Sequence, residues 1–449
     1  MSPRRAPSPL SFSQERLWKL FKLNPTSTAY NQPGAYRFTG TMDVEALRAA
    51  LQALVDRHDS LRTTFTEEGG RPVQKVAPAL KLELPLVDLR GREDAQAEVF
   101  QQLSEEARRP FDLTRGPLIR STLYRLEDNE YLLLFSKHHI LSDGWSEGVL
   151  TREVGLLYTA FATGTTPALP PLKAQYPDFA AWQRGWLTGR ELETRLGYWR
   201  VALAGAPTLL NLPTDKPRPA TRTFNGSSHR VALGRARSDA LNTLCQQERV
   251  TPFMALLSLF GTVLCHRAGQ EEVVIGSPIA NRTLPELEAL IGLFVNGVAL
   301  RVDLRGGPTF RQLLSRVRNV TLGAYAHQEV PFEQVVDAIG VQRLPNRTPL
   351  FQAMFALQNA PMDRVQLPGL TLMPMEATDR GASIYELALS LFEMEDGFAG
   401  ELEFNTDLFE PATMERLRDA LVALLDRVLT DPDVPVGLEE APRGFQQQR

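Results

Sequence analysis

The segment from Tyr131 to Phe161 constrains this chain more than any other. An apolar run, Tyr131-Leu132-Leu133-Leu134-Phe135, leads into His138-His139, an Asp143-Gly144 turn follows, and helical period returns at Val149, Leu150, Val154, Leu157 and Phe161. That order reads as a buried strand, a sharp turn and a helix backing the turn. Successive strand side chains point to opposite faces, so only one of the two imidazoles can face a given cavity. The other packs or supports. An imidazole has the one ordinary pKa suited to proton transfer near neutrality, and the buried run would hold it rigidly. The block therefore reads as a general base or a hydrogen-bonding group at a strand end, beside the commoner alternative of a purely structural pair. No metal site is expected, because adjacent strand residues diverge and no HExxH, Cys pair or third His lies nearby. No Gly-x-Ser-x-Gly elbow supports a serine triad.

At 449 residues the chain predicts two domains. Its 43% hydrophobic and 23% charged content is that of an ordinary globular protein. A net charge of -4 leaves no electrostatic footprint for nucleic acid or an anionic membrane. Cys245 and Cys265 lie in apolar helix-like stretches, which fits a reduced, cytoplasmic setting. The N-terminal Met1 to Pro7 stretch has no apolar core after it and does not read as a signal peptide. No apolar run is long enough to span a membrane.

Val44, Leu47, Leu51, Leu54 and Val55 share one face of a predicted helix from Asp43 to Arg57. Gly69-Gly70 joins two β-prone stretches into a hairpin, and Leu118–Leu126 with Glu130–Ile140 makes a second strand pair. The proline-dense stretch from Thr163 to Pro171 is the expected linker, dividing an N-terminal lobe, 1–170, from a C-terminal lobe, 171–449. Thr251-Pro252 starts a long apolar helix, a strand follows at Val273-Val274-Ile275, and a last helix begins near Pro411. The fold class is α+β, with two halves of comparable size.

Seven blocks in order, covering nearly the whole length, carry a resemblance. They are Leu10 to Trp18, Arg57 to Phe65, His138 to Ser146, Tyr176 to Trp182, Ile291 to Arg301, His327 to Glu333, and Asn346 to Phe351. In this the chain resembles the condensation domains of nonribosomal peptide synthetases. The resemblance implies two lobes similar to chloramphenicol acetyltransferase, set as a V-shaped pseudo-dimer with a tunnel between them. It implies two partners, an upstream donor and a downstream acceptor peptidyl carrier protein, and an adjacent adenylation domain. No bound cofactor is implied; substrates ride on the carriers' phosphopantetheine arms. The downstream amine would attack the upstream acyl or peptidyl thioester, giving an amide. The opening block looks most like domains that take an L-configured donor.

By the same resemblance His139 is the catalytic position, either removing a proton from the amine or holding it by hydrogen bond. His138 is expected to support with its ring turned away. Asp143 is expected to pair with Arg62 and pin the turn. Gly144 would let backbone approach the substrate or adopt a conformation barred to other residues. Trp145, Ser146 and Asn296 are tunnel candidates, although Ser146 reads equally as a helix cap and a buried Asn commonly satisfies backbone groups. Trp18, Tyr176 and Trp182 read as core aromatics, and His58 and His327 as structural. Lys137 stands where an apolar residue is usual, Gly297 replaces a common threonine, and Ser383 to Leu387 departs from a Lys-Phe-Asp-Leu pattern. Those departures bear on substrate choice. Epimerisation, ester-forming acyl transfer and a non-catalytic recruitment platform are the competing functions. The absence of carrier and adenylation signatures and the abrupt ends suggest a piece of a longer synthetase.

Overall fold

The computed structural model describes residues 6–358, 365–375 and 381–438. It is α+β, and its residues fall into two compact units. The first holds the residues up to Thr188, the segment Ala280–Val295 and the described part of 360–380; the second holds Gly189–Ile279, 296–358 and the described residues from Gly381 on. The expected single cut at 170 thus differs from the observed division. The prolines after Thr163 do interrupt regular structure, but the helix Tyr176–Trp186 that follows them belongs with the first unit.

In the first unit a six-stranded sheet runs in the order 365–367, 370–374, 31–40, 130–138, 119–127, 86–88. Strand Glu130–His138 therefore has hydrogen-bonded neighbours on both sides, Asn31–Gly40 and Ile119–Glu127, both antiparallel. It is buried from Tyr131 to His138, and its Tyr131–Phe135 part is accordingly a continuous apolar run rather than an alternation. Helix Val44–Arg57 starts at an Asp43 cap and buries Leu47, Leu51, Leu54 and Val55, as its period predicts. Helix Gly144–Ala162 buries Val149, Leu150, Val154 and Leu157, while Phe161 at its end is exposed. The Gly69-Gly70 turn closes the hairpin Thr63–Glu68 with Arg71–Val76, both glycines having positive φ.

The second unit has its own six-stranded sheet in the order 296–303, 272–279, 353–358, 387–394, 397–405, 226–232. Helix Pro252–Ala268, capped by Thr251, is buried without a break from Met254 to Cys265, so it carries apolar residues on every side. Cys245 and Cys265 are buried free thiols, and burial pushes both pKa values up. No single described helix is long and apolar enough to cross a membrane.

The strand expected at Val273 to Ile275 runs on through Gly276 to Ile279. Gly276 lies within it because the Phe351 ring occupies the place of a side chain: a Cβ there would sit 2.2 Å from a ring carbon. Gly276→Ala is expected to cost about 1–3 kcal/mol through overpacking, measured by urea unfolding against the parent chain.

Candidate active site

His138 and His139 stand where the central strand runs out, and their surroundings are opposite in kind. His138 is the last strand residue and is buried; its Nδ1 accepts the Ile140 amide at 3.1 Å, and the Phe111 ring meets its ring edge-on. Burial, with the neighbouring His139, pushes its pKa down to about 3. Its hydrogen bond ties the strand end to the turn that follows. His139 opens a short 3₁₀ turn, His139–Leu141, and is only partly buried. Its amide donates to the Tyr30 carbonyl, and the Tyr30 ring stacks over it.

Two groups meet the Nδ1 of His139, the Ser142 carbonyl at 2.7 Å and the Gln32 side-chain amide at 2.9 Å. A carbonyl can only accept, so Nδ1 carries the hydrogen; the Gln32 amide, placed with Nε2 toward the ring and Oε1 buried without a partner, is assigned the reversed orientation with its oxygen toward Nδ1. In the neutral imidazole the basic lone pair then lies on Nε2. The arrangement suits a proton acceptor with a defined tautomer.

Asp143 caps helix Gly144–Ala162, and both its carboxylate oxygens accept hydrogen bonds. Oδ1 accepts from the Ser146 amide at 3.0 Å, the Ser146 hydroxyl at 2.7 Å and Arg282 Nη2 at 3.0 Å. Oδ2 accepts from the amides of Phe294 and Val295 at 2.9 and 3.1 Å. The expected Asp143–Arg62 pair is therefore not formed. Arg62 instead pairs with Asp59 at 2.8 Å and donates to the carbonyls of Val55, Asp56 and Ala77. Helix Val44–Arg57 leaves terminal carbonyls without intrahelical donors, and a guanidinium within reach of them is held there. Asp143 takes Arg282, which comes from 139 positions away and is 2% exposed. Burial lowers the basicity of that guanidinium, and the Asp143 carboxylate opposes the shift.

Residues 280–295 are thereby strapped down in the first unit. Ser146 accepts from the Gly292 amide and from Arg282, both within 3.1 Å. Ser60 donates to the Ile291 carbonyl, Tyr176 to that of Leu293 and Trp145 Nε1 to that of Glu288. His58, paired with Glu153 at 2.7 Å, faces the Ile291 amide with its other nitrogen. Gly292 is required, since a Cβ would lie 2.0 Å from the Tyr176 ring.

Several expected site residues change role on this geometry. Ser146 is completely buried and spent on Asp143 and Gly292, so it does not line a tunnel. Asn296 is spent on its own unit's backbone, donating to the carbonyls of Gln328 and Val330 and accepting from Phe332. Gly144 has no positive φ, and a Cβ there would meet nothing within 4 Å, which leaves open space on its side. Trp145 is exposed. Trp18 and Tyr176 are core aromatics, but Trp182 is 40% exposed and stacks on Trp186. Sequence reasoning missed Arg282, Gln32 and Glu147; no local spacing marks an arginine so distant, and only the strand register brings Gln32 beside the histidines.

Residues 5–449 match the family described as Condensation domain. The chain belongs to that family. Malpinin synthetase of Mortierella alpina is 46% identical over 432 residues and a linear gramicidin synthase of Brevibacillus parabrevis 46% over 437. These alignments cover 96% and 97% of this condensation domain but 6% of each relative. Among solved structures, the X-domain from teicoplanin biosynthesis superposes with a TM-score of 0.87 at 27% identity, covering 97% of this chain and 98% of that one. A four-domain nonribosomal peptide synthetase bound to AMP and glycine gives 0.85 at 25%, covering 98% of this chain and 34% of that one. Condensation domains of peptide synthetases are acyltransferases that form amide bonds, and the α+β fold of this chain is theirs.

Two outcomes follow from the geometry. In double-mutant cycles with Asp143→Asn, Arg282→Lys should couple by about 1–3 kcal/mol and Arg62→Lys by less than about 0.5, read from unfolding midpoints. Between the ordinary histidine pKa of 6.5 and the folded value of about 3, the unfolded chain binds the extra proton at His138, so stability falls as pH drops through this window. His138→Asn, which keeps an acceptor for Ile140, should remove up to about 1.4 kcal/mol per pH unit of that slope, measured by urea titrations at neutral and mildly acidic pH.

Proposed function

We propose that this chain joins two carrier-bound substrates, the amine of a downstream aminoacyl thioester attacking the carbonyl of an upstream acyl or peptidyl thioester. A C–N bond forms, the C–S bond breaks, and the departing phosphopantetheine thiolate takes a proton. The observation that carries the reading is the partly open His139 ring with Nδ1–H tied to the Ser142 carbonyl, which puts the basic lone pair on Nε2. Nε2 accepts the proton of the attacking amine and returns one to the leaving sulfur. His138 cannot share the task, being buried and neutral.

The working partners on this reading are a donor and an acceptor carrier protein, with an adenylation domain loading the acceptor, in the cytoplasm. The opening block Leu10 to Trp18 favours an L-configured donor. A recruitment role has one observation in its favour: an X-domain solved in complex with OxyB superposes with a TM-score of 0.85 at 27% identity. The ordered tautomer of His139 favours chemistry.

With two loaded carriers, the product should be a lengthened acyl chain on the acceptor carrier, read by mass. His139→Ala should lower single-turnover amide formation about 10²–10⁴-fold in a folded protein. An undiminished rate removes His139 from the mechanism, and unchanged mass with inverted stereochemistry identifies an epimerase.

A further inference from the structure

Lys137 precedes the two histidines on the central strand, and its side chain is 1% exposed. An ammonium so buried needs a counter-charge. It has one in Glu147, 2.7 Å away, on the first turn of helix Gly144–Ala162. The Glu147 carboxylate also accepts the Tyr36 hydroxyl at 2.9 Å and the Ser142 hydroxyl at 3.3 Å. Ser142 is the residue whose carbonyl holds His139 Nδ1.

The sheet register assembles these groups. Lys137 lies directly opposite Gln32, Phe135 opposite Gly34 and Leu133 opposite Tyr36, so Gln32 and Tyr36 share the face of Lys137. Gly34 between them leaves room for the phenol, since a Cβ there would come 3.1 Å from the Tyr36 ring. Burial and the Glu147 carboxylate raise the Tyr36 pKa well above its ordinary value, so the phenol stays a donor. Glu147 itself is 37% exposed, and such a carboxylate would normally sample solvent rotamers. The buried ammonium and the phenol remove that freedom.

We propose that Lys137, Glu147 and Tyr36 are positioning residues that hold Ser142 in place and thereby fix which nitrogen of His139 carries the proton. The proposal rests on the assignment of His139 to the chemistry. It gives a function to a charged pair that is buried at one end.

The test is the double variant Lys137→Met/Glu147→Leu, which strands no charge, with Tyr36→Phe as a milder partner. Two quantities are read at one pH: the ring ¹⁵N shifts of His139, assigned by difference from His139→Ala, and single-turnover kinetics with loaded carriers. The native chain should show the Nδ1–H form, and the double variant a mixture with Nε2–H. Its limiting single-turnover rate should fall roughly tenfold, the low end of what groups orienting metal-bound histidines contribute, with the half-saturating concentration of both carriers unchanged. Tyr36→Phe should shift the spectrum in the same direction with a two- to threefold rate loss, on the order of a single neutral tether, and it decides the matter if the double variant does not fold. A native ring spectrum in folded variants overturns the proposal, whatever the rate. If His139→Ala keeps the full rate, the functional reading fails, while the ring spectrum still decides whether these residues position the imidazole.

Discussion

The carboxylate of Asp143 is the point on which the first unit's site depends. It ends the turn that carries His139, caps the helix that follows, takes two backbone amides from residues 294 and 295 and neutralises a buried guanidinium. A buried carboxylate without donors and a buried guanidinium without a counter-charge are both costly. Each therefore holds the other, and segments distant in sequence are fixed to one turn. The geometry of that turn, in particular the direction of the Ser142 carbonyl, decides how the imidazole presents itself.

Two adjacent histidines have opposite environments. His138 ends a strand that is buried from Tyr131 on and packs on Phe111, and burial lowers its pKa. One residue later the chain leaves the sheet for a 3₁₀ turn, and His139 emerges into a partly open setting with one nitrogen bound to backbone. The strand supplies rigidity because it is flanked on both sides by hydrogen-bonded neighbours. Rigid elements position side chains better than loops do, and His139 is the first residue past the rigid element.

The polar groups on the face of that sheet that carries Lys137 add a layer of control. Lys137, Glu147 and Tyr36 use charge and a protonated phenol where apolar packing would serve stability equally well. Their product is orientation. A pair of this kind limits the rotamers of a half-exposed carboxylate, and that restriction passes through Ser142 to the imidazole.

Much of this was legible in the order of residues, for reasons that are local. The period of Val44, Leu47, Leu51, Leu54 and Val55 is that of one helix face, Gly69-Gly70 supplies the positive φ of a hairpin turn, and Thr251-Pro252 caps and starts a helix. The run from Tyr131 to His139 followed by Asp143-Gly144 defined strand, turn and helix, and the seven blocks pointed to the family. Only the tertiary structure decided that Asp143 takes Arg282 and not Arg62, that Ser146 and Asn296 are spent on backbone, that Trp182 faces outward, and that Glu147 is the partner of Lys137. Periodicity and turn chemistry act over a few residues and are written in the chain; the partner of a buried charge is whichever opposite group the folded backbone brings within reach, and that proximity spans separations no local pattern records.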